Sequence, residues 1–142
     1  MQHAEPTETS LIQAAREARA RAYAPYSQFA MGAAVRLEDG AVYQGAVVEN
    51  VSLGLAMCAE RAALFASVCG GPARPTTLVL AAPRTDGRLT YPCGACLQVA
   101  LELGGPSLRI VVVDADADAG TDDAAATATT VEALLPRGPR KS

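Results

Sequence analysis

The chain has 142 residues, half of them hydrophobic and 19% charged, with a net charge of −3 and a pI near 5.1. A chain of this length suits one domain burying roughly two-thirds of the surface that its unfolded form exposes. No apolar run approaches the roughly 20 residues needed to cross a bilayer, and the basic residues, scattered apart from the tail RGPRKS, form no stripe for a phosphate backbone.

Those exclusions leave a small molecule as the expected partner, with neither nucleic acid nor membrane. The first ten residues, MQHAEPTETS, are polar and carry two glutamates, so they lack the cationic start and apolar segment of a secretory signal. The expected location is the cytoplasm. The four cysteines stay reduced there, which directs attention to metal ligation or catalysis rather than disulfides.

In chain order, Leu11 to Tyr23 predicts a first helix with Ser10 and Gln13 at capping-box spacing. Met31 to Leu37 and Ala41 to Val48 flank Asp39-Gly40 and read as an antiparallel hairpin. The loop ENVSLGLAM leads into a second helix, CAERAALFASV, in which Ala62, Leu64, Phe65 and Val68 suit burial and which Gly70-Gly71 ends. Thr77 to Ala82 is a short apolar strand of the kind covered on both faces.

Pro92 suits the first turn of a helix over Cys93 to Leu103, stopped by Gly104-Gly105. Leu108 to Val113 is another buried strand. The low-complexity segment DADADAGTDDAAATATT reads as a solvated loop before a weak edge strand, and Thr129 with Glu132 as the cap of a short last helix. This order predicts an α/β fold: a mixed five-stranded sheet between helices, in a single domain over 1–142 with 1–9 and 137–142 as flexible ends. Ligands in such sheets gather at the carboxyl ends of strands, where both cysteine-bearing helices begin.

The only histidine is His3, which removes Ser-His-Asp, Cys-His and two-histidine metal schemes. No phosphate-binding glycine loop is present either. Cys93 and Cys96 share one face of a helix start, where free amides favour the thiolate, and Cys58 opens its own helix. Three thiolates from two helix starts suit a tetrahedral zinc ion with one position for water, and Glu60 is placed to reach that water. Taken singly the motifs have other readings: Cys93-x-x-Cys96 as a redox pair, each cysteine as a small buried residue. Cys69, some three turns down the helix from Cys58, is assigned to packing.

CAER and PCGAC, with AYAPYSQFAMGAA, VENVS and VEALLP, resemble the small zinc-dependent cytidine deaminases over roughly Ala22 to Pro136. The resemblance implies a three-layer α/β/α fold and one Zn²⁺ per chain held by Cys58, Cys93 and Cys96. It also implies that activated water attacks C4 of cytidine or deoxycytidine while Glu60 moves protons, in pyrimidine salvage. Phe29 would pack near the base, the backbone around Ala59 would hold its polar edge, and Glu49 would accept from a ribose hydroxyl. Arg61 would offset thiolate charge, and the assembly would be a homotetramer with sites completed by neighbouring chains. From the residues alone, Phe29 is equally a core residue, Glu49 a solvated strand end and Arg61 a surface residue.

Four positions depart from the family's pattern. Val47 stands for an asparagine that binds ribose, Leu53 for a loop tyrosine, and Pro139 where a C-terminal phenylalanine closes over the base. Leu97 stands for an arginine beside the thiolates, which is expected to raise the pKa of the water and slow hydrolysis near neutral pH. The thinned contacts admit an alternative: a deaminase of another amino-heterocycle or nucleoside analogue, such as an antibiotic of the blasticidin kind. Outside enzymes, the alternative is a zinc-stabilised binding module.

Overall fold

A computed structural model describes residues 6–117 and 126–141; His3 and residues 118–125 of the low-complexity segment lie outside them. Helix α1 spans Pro6–Arg19 and buries Leu11, Ala15 and Ala18 along one stripe. It starts earlier than expected because Pro6 takes the first helical position, where a missing N–H costs nothing. Ser10 is therefore inside the helix, its hydroxyl accepting from Arg36 Nη2 at 3.3 Å instead of capping. The helix also stops short of Tyr23. The amides of Ala20, Arg21 and Ala22 tighten to carbonyls three residues back, and the Tyr23 amide leaves to donate to Val47 O at 2.9 Å.

Strands β1 (Gly32–Leu37) and β2 (Val42–Ala46) form the expected hairpin, with Asp39 Oδ1 accepting from the Ala41 amide at 3.0 Å in the turn. Helix α2 follows at Ala59–Gly70, then β3 (Pro75–Ala82), α3 (Gly94–Gly104) and β4 (Arg109–Asp114). The chain ends with β5 (Ala126–Thr130) and α4 (Val131–Leu134). The α4 cap is Thr130, whose hydroxyl accepts from Ala133 N at 3.2 Å, one residue later than the expected Thr129–Glu132 pair.

The sheet order is β2-β1-β3-β4-β5. Only β3 and β4 pair in parallel; the other neighbours are antiparallel, so the sheet is mixed, with β5 at an edge as the sequence suggested. Alternate residues divide its two faces. Val35, Leu78, Leu80, Ile110 and Val112 face Leu64 of α2 and Leu101 of α3, whereas Ala34, Val79, Ala81, Val111 and Val113 face Leu11 and Ala15 of α1. One helix covers one face and three cover the other, the three-layer α/β/α arrangement. Double coverage is why β3 and β4 read as continuous apolar runs.

Two glycines set how closely helices approach. A Cβ on Gly32 would sit 2.2 Å from Ala15 O in α1, and one on Gly45 would sit 2.3 Å from Ala59 O in α2. Both contacts are to backbone, so only glycine lets these layers meet. Gly45 thereby fixes the start of α2 against β2.

The ends are placed in part. Residues 6–9 are helical, and Pro139 and Lys141 lie along α3, with Gln98 Nε2 donating to Pro139 O at 2.8 Å and Lys141 pairing with Glu102 at 3.7 Å. Among the described residues, no helix is long and apolar enough to cross a membrane.

Candidate metal centre

Helices α2 and α3 pack side by side, and each begins on a cysteine cap. Cys58 (φ −72°, ψ 151°) and Cys93 (φ −71°, ψ 168°) are in extended conformation, and neither sulfur caps a backbone amide of its helix. Pro92 accordingly precedes the cap of α3 and is not in its first turn. The extended cap swings Cys93 Sγ over that turn to 3.4 Å from Cys96 Sγ, while Cys58 Sγ lies 4.0 Å from Cys93 Sγ. All three sulfurs lie within 4.8 Å of one another.

A tetrahedral zinc ion with Zn–S bonds of about 2.3 Å spaces its sulfurs by roughly 3.8 Å, a value that lies between the Cys93–Cys96 and Cys58–Cys93 separations. The charges fit as well. The Cys58 thiol is pulled down to about 5, first by a hydrogen bond from Cys96 and then by Arg61, whose Nη2 lies 3.4 Å from the sulfur. Cys96 is pushed up because its proton serves Cys58 and because it is buried.

Glu60, in the first turn of α2, is 2% exposed. Burial pushes its carboxyl up to about 7, helped by the Cys58 charge, and its Oε1 has no hydrogen-bond partner. A buried, unpartnered carboxylate oxygen is costly unless a ligand or water satisfies it. A carboxyl poised near neutrality beside three thiols that soft metals prefer is a chemical fit for zinc and for proton transfer. A redox pair alone accounts for neither the third sulfur nor the carboxylate.

The other expected site residues divide. Ala59 is the buried first residue of α2, adjoining Cys58 and Glu60. Arg61 is drawn to the sulfurs, and they raise its own pKa. Phe29 is half-buried against the core, and its amide donates to Ser27 Oγ at 3.0 Å. Glu49 is no loose strand end: its carboxylate accepts from the amides of Tyr26 and Ser27 at 3.0 and 3.2 Å and from the Ser27 hydroxyl. Ser27 was not singled out from sequence, although a hydroxyl two residues before Phe29 in a Pro-Tyr-Ser turn is a usable signal.

Val47 is buried and Leu53 is 83% exposed, in the short 3-10 turn Leu53–Leu55. Leu97 is buried, so Arg61 is the one guanidinium that bonds the sulfurs among the described residues. Two packing expectations fail. Cys69 is exposed, and so are Phe65 and Val68 at 45% and 55%, because α2 buries only the side toward the sheet. Pro139 is tied to Gln98 on α3 by its carbonyl.

A three-cysteine cluster with a buried glutamate, at two helix starts over a mixed sheet, defines a zinc-dependent hydrolase taking one zinc ion per chain. The profile of the cytidine and deoxycytidylate deaminase zinc-binding region matches residues 1–81, which include Cys58 and Glu60. The chain belongs to the cytidine deaminase family. It is 49% identical over 96 residues to a cytidine deaminase of Mycobacterium tuberculosis, covering 68% of this chain and 71% of that one. A cytidine deaminase of Sporosarcina psychrophila is 38% identical over 126 residues, covering 89% and 86%. The crystal structure of cytidine deaminase from Burkholderia pseudomallei superposes with a TM-score of 0.81 at 38% identity, covering 97% of this chain and 99% of that chain.

Proposed function

We propose that this chain hydrolyses cytidine and deoxycytidine to uridine and deoxyuridine with release of ammonia. The observation that carries the reading is Glu60 Oε1, buried without a partner beside three clustered sulfurs. Cys58, Cys93 and Cys96 hold the zinc, and bound zinc supplies the Lewis acidity that makes water nucleophilic near neutral pH. Glu60 takes the first proton that the water gives up and delivers it to N3, then takes the second from the new C4 hydroxyl and delivers it to the departing amine, leaving the C4 carbonyl. A C4–O bond forms and the C4–N4 bond breaks, so one water is consumed per ammonia. The two transfers return the carboxyl to its starting state, and such shuttling is worth about 10²- to 10⁴-fold.

Arg61 offsets thiolate charge at Cys58 and keeps that sulfur a ligand. Phe29 packs against the base, the backbone at Ala59 meets its polar edge, and Glu49 accepts from a ribose hydroxyl. Val47 offers no polar side chain there, which thins the sugar contacts. The alternative of another amino-heterocycle is not favoured, since relatives at up to 49% identity are cytidine deaminases.

The finer reading is one domain, cytoplasmic, and a homotetramer. Both core clusters lie on one sheet, supporting one domain. A centre of three free thiols needs a reducing compartment, which supports the cytoplasm. Exposed Val51, Leu53 and Leu55 beside one helix start, with Cys93 itself exposed, support a site completed by a neighbouring chain.

The test is metal analysis with an ammonia-release assay. Wild type is expected to contain one zinc and release ammonia from cytidine, whereas Glu60→Gln keeps the zinc and loses about 10²- to 10⁴-fold in kcat. A zinc-containing wild type that releases no ammonia would leave only a zinc-stabilised binding module, whereas an undiminished rate in Glu60→Gln would remove Glu60 from the proton transfer.

A further inference from the structure

The segment Ala24 to Phe29 is held against the start of the 47–57 loop by bonds of two kinds. Backbone pairing fixes the register: Tyr23 N donates to Val47 O at 2.9 Å and Glu49 N to Tyr23 O at 2.8 Å. Gln28 N donates to Ala24 O at 3.0 Å and Gln28 Nε2 to Pro25 O at 3.2 Å, closing a turn in which Gln28 has φ +55°. That left-handed value is sparsely populated by residues other than glycine, asparagine and aspartate, and persists where surroundings over-determine it.

The second kind converges on one hydroxyl. Ser27 Oγ donates to Glu49 Oε2 and accepts from the Phe29 amide at 3.0 Å, so its donor and an acceptor site are both used. Glu49 Oε1 accepts from the amides of Tyr26 and Ser27. A carboxylate offers about four acceptor sites. Three are taken by this turn, leaving capacity for about one further donor.

We propose that Ser27 is a positioning residue: its hydroxyl locks the Glu49 carboxylate to the Phe29 backbone, leaving one directed acceptor site for a single sugar hydroxyl. This rests on the assignment of Glu49 to ribose and Phe29 to the base made above. The backbone pairing keeps the turn in register without the hydroxyl, so Ser27 governs the aim of the carboxylate rather than the path of the chain. The same hydroxyl leads the interactions that hold the Glu49 carboxyl below its ordinary value, which keeps it a pure acceptor.

The experiment compares wild type, Ser27→Ala and Ser27→Thr, each zinc-loaded and with its melting temperature recorded. KM and kcat are measured for cytidine, and Ki for 2′,3′-dideoxycytidine, which lacks both ring hydroxyls, as a competitor. Ser27→Ala is expected to raise KM for cytidine about tenfold, as for a bond to a charged group, with kcat within about twofold. Its Ki for dideoxycytidine stays at the wild-type value, and Ser27→Thr restores most of the cytidine affinity. Equal weakening toward both nucleosides, an unchanged KM, or failure of threonine to rescue would overturn the role of Ser27 while leaving the activity standing. A zinc-loaded wild type that deaminates no cytidine would overturn the activity, and this role with it.

Discussion

Cys58 has an ordinary thiol value of 9.0, and in the metal-free chain it falls to about 5 through the Cys96 proton and then the Arg61 guanidinium. A depressed value means that the thiolate persists down to lower pH, so Cys58 stays reactive where ordinary thiols are silent. The expected result, with zinc chelated and Cys58 alkylation followed by mass spectrometry, is a half-maximal rate near pH 5. Arg61→Ala moves that midpoint upward by roughly 1 unit, since an opposite charge is removed. An unmoved midpoint would show that Arg61 does not support the sulfur. Buried Leu97 offers no cation, so the substitution falls on a cluster with no second guanidinium among the described residues.

Elements place these residues, and the closest constraint is the contact of β2 with α2. A methyl group on Gly45 would meet Ala59 O at 2.3 Å and Ala63 N at 2.5 Å, both backbone atoms of the helix that starts with Cys58 and Glu60. Gly45→Ala therefore has to push the helix start outward. The expected cost is about 1–3 kcal/mol, seen as a melting temperature lower by several degrees, together with weaker zinc retention in a chelator competition. Unchanged retention with lowered stability would mean that the sulfur cluster does not depend on this contact.

The element scale is also where sequence reading worked and where it slipped. Strands β3 and β4 announced themselves because double burial leaves no room for polar alternation, and the order of elements followed from them. The ends of α1 did not, because the pull of Tyr23 toward Val47 is a tertiary pairing that outweighs an Ala-Arg-rich run. The exposed side of α2 was misread for a similar reason. Phe65 and Val68 are apolar, but periodicity cannot say whether a partner lies within the chain or outside it.

For the whole molecule, Phe65, Val68, Val99 and Leu103 line an apolar groove between α2 and α3, separate from the exposed Val51, Leu53 and Leu55. A chain of 14.6 kDa with two such faces is expected to sediment as an oligomer. Val68→Asp places a charge in that groove, and the expected outcome is a smaller species by sedimentation with its zinc content intact. A wild type that sediments at 14.6 kDa would remove the tetramer from the proposal.

By itself the sequence determined the chemistry on offer: three cysteines and a glutamate at helix-start spacing, no histidine to compete beyond His3, and apolar strands able to build a doubly covered sheet. Those are properties of local spacing and residue type, which a linear chain carries. Only the tertiary structure decided that Cys58 meets Cys93 across 35 residues, that Glu60 is buried with an unmet oxygen, and that Ser27 binds the Glu49 carboxylate. Each depends on the packing of segments distant in sequence, and neither burial nor a hydrogen bond between such segments exists until the sheet and its helices have assembled.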